Sequence, residues 1–244
     1  MSNLSDSYSL PRVLGRALCN SFKNIARVIV RPVSTVRNLG EEPDYLAPLL
    51  LIFLVLLVYS FNVFVISLNV KYDVKGTLTS AWTHEVEPIL AMLMAGRLLN
   101  LIFGWFTYFF LLFIVSRFLG SDKELYPLFT LSGLILHIFL IQLTLNAIIL
   151  LALLGSAKPL YIKGLYDGSL ALTAGLAYNQ WTGSVPLFAS IKKLVEWFSF
   201  FWGATYTFTV LKEERELSSI RALLGTVIIY PINAFIALFF ATAL

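Results

Sequence analysis

Residues 45–70 read YLAPLLLIFLVLLVYSFNVFVISLNV, a run of 26 residues without one charged side chain. The hydrocarbon layer of a bilayer is about 30 Å thick, and roughly 20 apolar residues of helix are needed to cross it. Because no water in that layer satisfies backbone N–H and C=O groups, a crossing segment must close its own hydrogen bonds. The run therefore predicts a membrane-spanning helix.

Four further stretches repeat this pattern. Residues 98–116, 125–157, 197–211 and 222–244 are uncharged over 19, 33, 15 and 23 residues. Together the five stretches predict an all-α polytopic membrane protein, a bundle of five transmembrane helices. We place the spans at about residues 46–69, 93–117, 127–154, 190–211 and 221–243.

The segment between the third and fourth spans is harder to assign. Residues 168–191 are uncharged but rich in Gly, Ser, Thr and Asn. We expect an external loop with an interfacial helix at residues 170–177. A re-entrant segment and an early start of span four are the alternatives.

The overall composition agrees with a membrane protein. Of 244 residues, 58% are hydrophobic and only 13% are charged, whereas soluble chains carry about 25% charged residues. The chain divides into an arm at residues 1–44 and a membrane domain at residues 45–244, which leaves no room for a separate soluble domain. The single cysteine, Cys19, excludes an intrachain disulfide.

The positive charges predict the orientation in the membrane. Lys and Arg favour the cytoplasmic side when they lie in short loops near the spans. Eleven of them lie in the arm and in the loops after spans two and four, and at most six lie in the other loops. We therefore expect a cytoplasmic N-terminus and, after five crossings, an external or lumenal C-terminus.

The arm is predicted to contain an amphipathic helix at residues 10–31, which Pro32 stops. One stripe is apolar and comprises Leu10, Leu14, Leu18, Phe22, Ile25 and Ile29. The opposite stripe is basic and comprises Arg12, Arg16, Lys23 and Arg27, with Arg31 at the end. Such a helix is typical of one that lies in the membrane interface and binds anionic lipids. The alternative is that the apolar stripe packs on the protein's own loops or on a partner.

Polar side chains within spans usually pack between helices, and some mark transport pathways. Arg97 and Glu196 lie at matching depths near the outer ends of spans two and four, so we expect an ion pair, with a relay or no pairing as alternatives. Interhelical contacts are also predicted for His137, Gln142, Asn146 and Asn233. For His137 the alternative is a proton relay.

Small residues recur at a helical spacing in span four. Ser199, Gly203 and Thr207 are four residues apart. Such a stripe lets two helix backbones approach closely. It predicts helix packing more readily than a substrate path.

No pattern of residues predicts catalysis or a cofactor. The chain shows no nucleophile–base pair, phosphate-binding glycine loop or paired carboxylates, and no cluster with metal-ligand spacing. His84, Glu85 and Glu87 lie close together in an external loop. We expect this loop to be solvated, and the alternative is that the three side chains bind a metal ion. We expect a protein that is not an enzyme, holds no cofactor or metal, and binds no nucleic acid.

Three stretches together resemble the YIP (Ypt/Rab-interacting protein) family, including its prokaryotic, five-span branch. They are RPVSTVRNLGEEPDYLAP at residues 31–48, GSDKELY at residues 120–126, and LSSIRA at residues 217–222, flanked by Trp202 and Pro231. The resemblance implies five spans and a cytosolic N-terminus. It also implies a role like that of eukaryotic members, which act in vesicle trafficking and membrane shaping and bind prenylated small GTPases. Their Asp-Leu-Tyr-Gly-Pro motif is absent from this chain, so GTPase binding is not carried over.

The residues and the resemblance favour a non-enzymatic protein that organises membrane or a membrane protein complex. Its expected partners are the lipid bilayer and other membrane proteins or further copies of itself. The alternative is a transporter or an accessory subunit of one, because Arg97, His137 and Glu196 lie in spans and Pro231 can kink span five. Transporters usually show internal repeats, and none is visible here.

Overall fold

The computed structural model describes residues 10–67, 70–74, 77–80, 87–153, 160–162 and 186–243, with side chains described over 13–65, 91, 94–152 and 186–233. In this part of the chain we number the helices in order. They are α1 (Leu10–Val30), α2 (Pro32–Glu41), α3 (Leu46–Ser67), α4 (Glu87–Phe118), α5 (Tyr126–Leu134), α6 (Leu136–Leu153), α7 (Pro186–Thr209) and α8 (Ser219–Ala243). A π-helical turn, Val210–Glu214, continues α7. The expected helical bundle is therefore present.

Three of these helical segments are long and apolar enough to cross a membrane. They cover Leu46–Val65, Met94–Phe118 and Tyr126–Ala152. The described part of α8 adds a shorter apolar helix, Ser219–Asn233. The outer half of α7 carries Lys192, Lys193 and Glu196, which lower its apolar content. Five crossings remain a prediction.

The bundle is closed. α3 packs along α6, α6 along α7, α7 along α8, α8 along α4, and α4 returns to α3. Side chains such as Leu51, Leu112 and Leu131 fill its interior. Large apolar side chains such as Phe53, Phe110 and Val227 are exposed on its outside. Water would oppose so large an exposed apolar surface, whereas lipid accommodates it.

Two features of the backbone were not predicted, and one predicted feature is not tested. The third apolar stretch forms two helices and not one. At Ile135 the N–H donates to Ser132 O, three residues earlier, so the α-helical hydrogen-bond pattern is interrupted there. Residues 32–41, for which no helix was predicted, form α2, since Pro32 is well suited to a first helical turn. The predicted interfacial helix at residues 170–177 lies outside the described residues.

A small sheet was not predicted by the all-α interpretation. It contains β1 (Val70–Val74), β2 (Thr77–Ser80) and β3 (Leu160–Ile162) in the order β2-β1-β3. β1 pairs antiparallel with β2 and parallel with β3, with Lys71 opposite both Ser80 and Tyr161. The sheet follows the ends of α3 and α6, so we call this the sheet end of the bundle. The opposite end, where α1 and α2 lie, is the arm end.

Candidate functional site

The arm folds back onto the membrane domain. Ile25 and Val28 of α1 and Val36 and Leu39 of α2 are buried in the same core as the membrane helices. Ile25 was predicted to contact membrane, and the structure corrects this because its side chain is covered by protein. Part of the apolar stripe therefore anchors the arm, as in the alternative interpretation.

Asp44 ties the arm to the first span through hydrogen bonds in two directions. Its Oδ1 accepts from the backbone N–H groups of Leu46 and Ala47, both at 3.2 Å, and so caps the start of α3. The same carboxylate accepts from Ser21 Oγ at 2.9 Å and from Asn24 Nδ2 at 2.8 Å. One side chain therefore fixes the angle at which α1 meets the bundle. Sequence patterns missed this role, although an Asp two residues before a helix is a cap signal.

The outward face of α1 is apolar and basic. Leu14 and Phe22 are 55% and 48% exposed, and Leu18 and Ile29 are half-buried. The basic residues Arg16, Lys23, Arg27 and Arg31 are exposed. The side chains of Leu10 and Arg12, which were predicted to join these stripes, lie outside the described residues. Even with Ile25 covered, α1 presents an apolar strip beside a basic one.

A polar pocket opens at the arm end, between α2, the turn before α5 and the π-helical turn. Its volume is about 480 Å³. It contains six carboxylates and two cationic side chains. They are Glu41, Asp122, Glu124, Glu213, Glu214 and Glu216, with Arg37 and Lys123. Tyr126 and Pro127 complete its wall. The pocket is therefore acidic, next to a basic arm.

Two of the pocket's carboxylates form short ion pairs with its own cations, and a third, Asp122, contacts Arg117 at 3.4 Å, a residue that does not line the pocket. Arg37 Nη2 lies 2.7 Å from Glu213 Oε2, and Lys123 Nζ lies 2.6 Å from Glu216 Oε1. The first pair joins the arm to the π-helical turn. The second joins the turn before α5 to the segment before α8. They hold together the three segments that form the pocket.

Glu214 differs from the other carboxylates of the pocket. It is only 9% exposed, and no hydrogen bond or ion pair of its side chain occurs in the described part of the chain. A methyl group added at Gly40 would overlap Glu214 Oε2, so only glycine leaves the carboxylate room in this position. Burial raises the pKa of Glu214, although Arg215 and Lys123 act in the opposite direction.

The neighbouring Arg215 favours the ionised form of Glu214 through its charge, but its hydrogen bonds go to other residues. It is 1% exposed. Its Nε donates to Ser116 Oγ at 3.1 Å and its Nη1 donates to Glu124 O at 2.7 Å. Burial lowers the pKa of Arg215. The guanidinium thus fastens the π-helical turn to the end of α4 and to the pocket wall. In the sequence it was visible only as one of the loop charges.

His137 lies between α6 and α7 with both ring nitrogens occupied. Nδ1 contacts Leu134 O at 2.5 Å, and Nε2 lies 2.9 Å from Trp202 Nε1. Because the indole N–H can only donate, Nε2 accepts and Nδ1–H donates. The ring is therefore the neutral tautomer, bound on both sides. This geometry is that of a helix contact and not that of a proton relay.

The small-residue stripe of α7 lies in the bundle interior. Ser199, Gly203 and Thr207 are buried. A methyl group at Gly203 would overlap the ring of Tyr230 on α8, whose hydroxyl donates to Ser199 O at 3.3 Å. Thr207 Oγ1 lies 2.8 Å from Tyr108 Oη, which reaches across from α4. The stripe therefore joins three helices.

The predicted ion pair between Arg97 and Glu196 is absent from the described part of the chain. The guanidinium of Arg97 lies over the rings of Tyr59 and Phe139, at 5.6 and 5.9 Å from their centroids. Glu196 lies 4.0 Å from Lys192, one turn earlier on α7. The physical reason is the helix order, since α4 and α7 are not neighbours in the ring and matching depth does not bring them together.

The remaining polar residues of the spans are placed as follows. Gln142 is half-buried. Asn146 and Asn233 are buried, and the side-chain oxygen of each has no hydrogen-bond partner among the described residues. His84 and Glu85 lie outside the described residues, as does the side chain of Glu87. Within the described residues, no group of three His, Cys, Asp or Glu side chains could hold a metal ion.

Comparison with known protein families gives one match. The Yip1 domain matches residues 26–241, from the second half of α1 to near the end of α8. Searches of curated proteins and of solved structures gave no match. The match includes Asp44, the pocket and nearly all of the bundle, and it begins just after Ser21, Asn24 and Ile25 of the arm.

Proposed function

The chain belongs to the Yip1 domain family of membrane proteins, and we propose that it is a non-enzymatic member that organises membrane, or a membrane protein complex, through its arm. The observation that carries this proposal is the arm itself. Asp44 and the buried Ile25 and Val28 hold α1 against the bundle, while Leu14 and Phe22 remain exposed beside a basic face.

The geometry of α1 suits the surface of an anionic membrane. Each Lys or Arg near such a surface contributes about 1 kcal/mol of attraction. Arg16, Lys23 and Arg27 lie on one face of the helix, and the exposed Phe22 can enter the boundary between head groups and acyl chains. Because the arm is fixed to the bundle, lipid bound along α1 would be held at a set position beside the spans.

The experiment reconstitutes the full chain into liposomes and measures their diameters by electron cryomicroscopy. The wild type is compared with a variant that combines Arg16→Gln, Lys23→Gln and Arg27→Gln, in anionic and in neutral lipid. We expect the wild type to alter vesicle diameter in anionic lipid and the variant to do so much less. Diameters equal to those of protein-free vesicles, together with purification as a monomer without partners, would contradict the proposal.

The transporter alternative is supported by one observation, the position of Arg97. In the part of the chain that the structure describes, its Nε is buried and has no hydrogen-bond partner, and two aromatic rings lie near its guanidinium. Charged groups within spans often mark ion or substrate paths. Uptake of a radiolabelled anion into the same liposomes, lost in Arg97→Met, would favour transport over membrane organisation.

A further inference from the structure

We propose that the arm-end pocket binds a basic peptide segment of a protein partner, with an Arg or Lys side chain placed against Glu214. The proposal does not depend on how the arm contacts lipid, and it concerns a different surface.

The first argument is charge. The pocket contains six carboxylates and two cations, a formal balance of −4. Both cations are used in the pairs Arg37–Glu213 and Lys123–Glu216, and Asp122 contacts Arg117 at 3.4 Å, which leaves Glu41, Glu124 and Glu214. The negative charge that remains lies in a concave site with protein walls, where field lines are concentrated and a cationic ligand is attracted.

The second argument is the state of Glu214. An ionised carboxylate that is nine-tenths buried is costly unless it is paired and hydrogen-bonded. Glu214 has neither kind of partner within the described residues, although Arg215 is its neighbour in sequence and donates elsewhere. It lines the pocket. A guanidinium or ammonium group entering the pocket would supply the missing charge-assisted hydrogen bond.

The third argument is size and lining, which favour a peptide over a bare ion. A volume of about 480 Å³ is within the usual range of organic ligand sites. No three acidic, His or Cys side chains in the described part of the chain are grouped for a metal. Tyr126 and Pro127 line the pocket, where they can contact the apolar stem of a long cationic side chain.

The position of Glu214 depends on Gly40 in α2. Since any larger residue at position 40 would displace the carboxylate, the arm and the π-helical turn set the depth of the site together. A ligand here would therefore contact both the arm and the membrane domain.

The experiment uses the full chain in a mild non-ionic detergent. The probe is a fluorescein-labelled peptide, Gly-Ser-Arg-Lys-Arg-Ser-Gly, and binding is followed by fluorescence anisotropy. We expect saturable binding that weakens as salt is raised. Glu214→Gln should weaken binding about tenfold, which corresponds to one charge-assisted hydrogen bond. Glu42→Gln, an exposed carboxylate at the same end that does not line the pocket, should change it less than twofold.

Three outcomes would overturn the proposal. They are no saturable binding by the wild type, equal binding by wild type and Glu214→Gln, and equal losses in Glu214→Gln and Glu42→Gln. Spermine is the competitor that separates a peptide site from a site for any polyamine. The proposal would also be overturned if spermine displaced the labelled peptide at the same concentration as the unlabelled peptide does.

A second variant covers the case in which Glu214→Gln does not fold. Glu41 and Glu124 line the pocket and are exposed, so replacing both with Gln should leave the fold intact. We expect this double variant to bind the peptide several-fold more weakly than Glu42→Gln does. Binding equal to that of Glu42→Gln would refute the site.

Discussion

Replacing Asp44 should loosen the arm and weaken the first span at the same time. Asp44→Ala removes the cap of α3 and the acceptor for Ser21 and Asn24. Loss of a cap costs about 1 kcal/mol. A hydrogen bond to a charged group contributes about 1.5–3 kcal/mol, and we take the lower value because these bonds are only part-buried. Since neighbouring contributions are not additive, we expect a loss of about 2–4 kcal/mol in the free energy of unfolding.

A second substitution separates the two roles of Asp44. Serine is itself a good cap residue, but its single short hydroxyl cannot also accept from Ser21 and Asn24. Asp44→Ser should therefore recover about 1 kcal/mol of the loss while leaving the arm untethered. Asp122→Ala is the control, because Asp122 is exposed and has only a 3.4 Å contact with Arg117. Its effect should be within about 0.5 kcal/mol.

Two assays measure these effects. Unfolding in mixed micelles with increasing sodium dodecyl sulfate gives the change in stability. Amide hydrogen exchange over residues 21–30 reports release of α1. Exchange in α2 should change less, because α2 is held by its own buried side chains, Val36 and Leu39.

A double-mutant cycle provides the strictest test of the tether. Asp44→Ala and Asn24→Ala should couple by at least about 0.5 kcal/mol, as residues in one hydrogen-bond network do. Additive effects, or α1 exchange that is unchanged in Asp44→Ala, would refute the tether.

Three further predictions concern other parts of the chain. Gly203→Ala should destabilise the protein by about 1–3 kcal/mol in mixed-micelle unfolding, because the new methyl group meets a packed aromatic ring. The control is Gly104→Ala, which should not destabilise the protein because the space around Gly104 is open. Equal losses of stability in the two variants would contradict the packing. Because the pKa of Glu214 is raised in the fold, its ionisation lowers stability as the pH rises above the ordinary glutamate value of about 4.3. Glu214→Gln should remove this decline and raise the melting temperature at pH 7. If the variant shows the same dependence of melting temperature on pH as the wild type, the raised pKa of Glu214 is contradicted. In a cysteine-free background, a membrane-impermeant thiol reagent applied outside should label a Cys in the 71–85 loop and not one at Ser121, and the reverse pattern would invert the proposed orientation.

Sequence patterns predicted the features that depend on neighbours along the chain. The arm helix was expected at residues 10–31 and is found at Leu10–Val30. The first three spans were placed close to the helices that form them, because an uncharged run of sufficient length is a local property. The buried stripe of Ser199, Gly203 and Thr207 was visible from its spacing alone.

The partners of these residues could not be predicted in the same way. Helices such as α3 and α4 are apolar all round, so their sequences contain little information about which face turns inward. Depth along the bundle suggested that Arg97 meets Glu196. The order of helices around the ring instead places Arg97 against Tyr59 and Phe139.

The sequence by itself determined that this is a helical membrane protein whose arm contains a helix, because hydrophobic length and helical periodicity are properties of consecutive residues. Only the tertiary structure decided that Asp44 holds the arm, that Arg215 is buried against Ser116, and that Glu214 lies beside Gly40 with no hydrogen bond or ion pair of its side chain among the described residues. These contacts join residues 20 to 174 positions apart in the chain. Their existence depends on how whole helices pack, which no local pattern specifies.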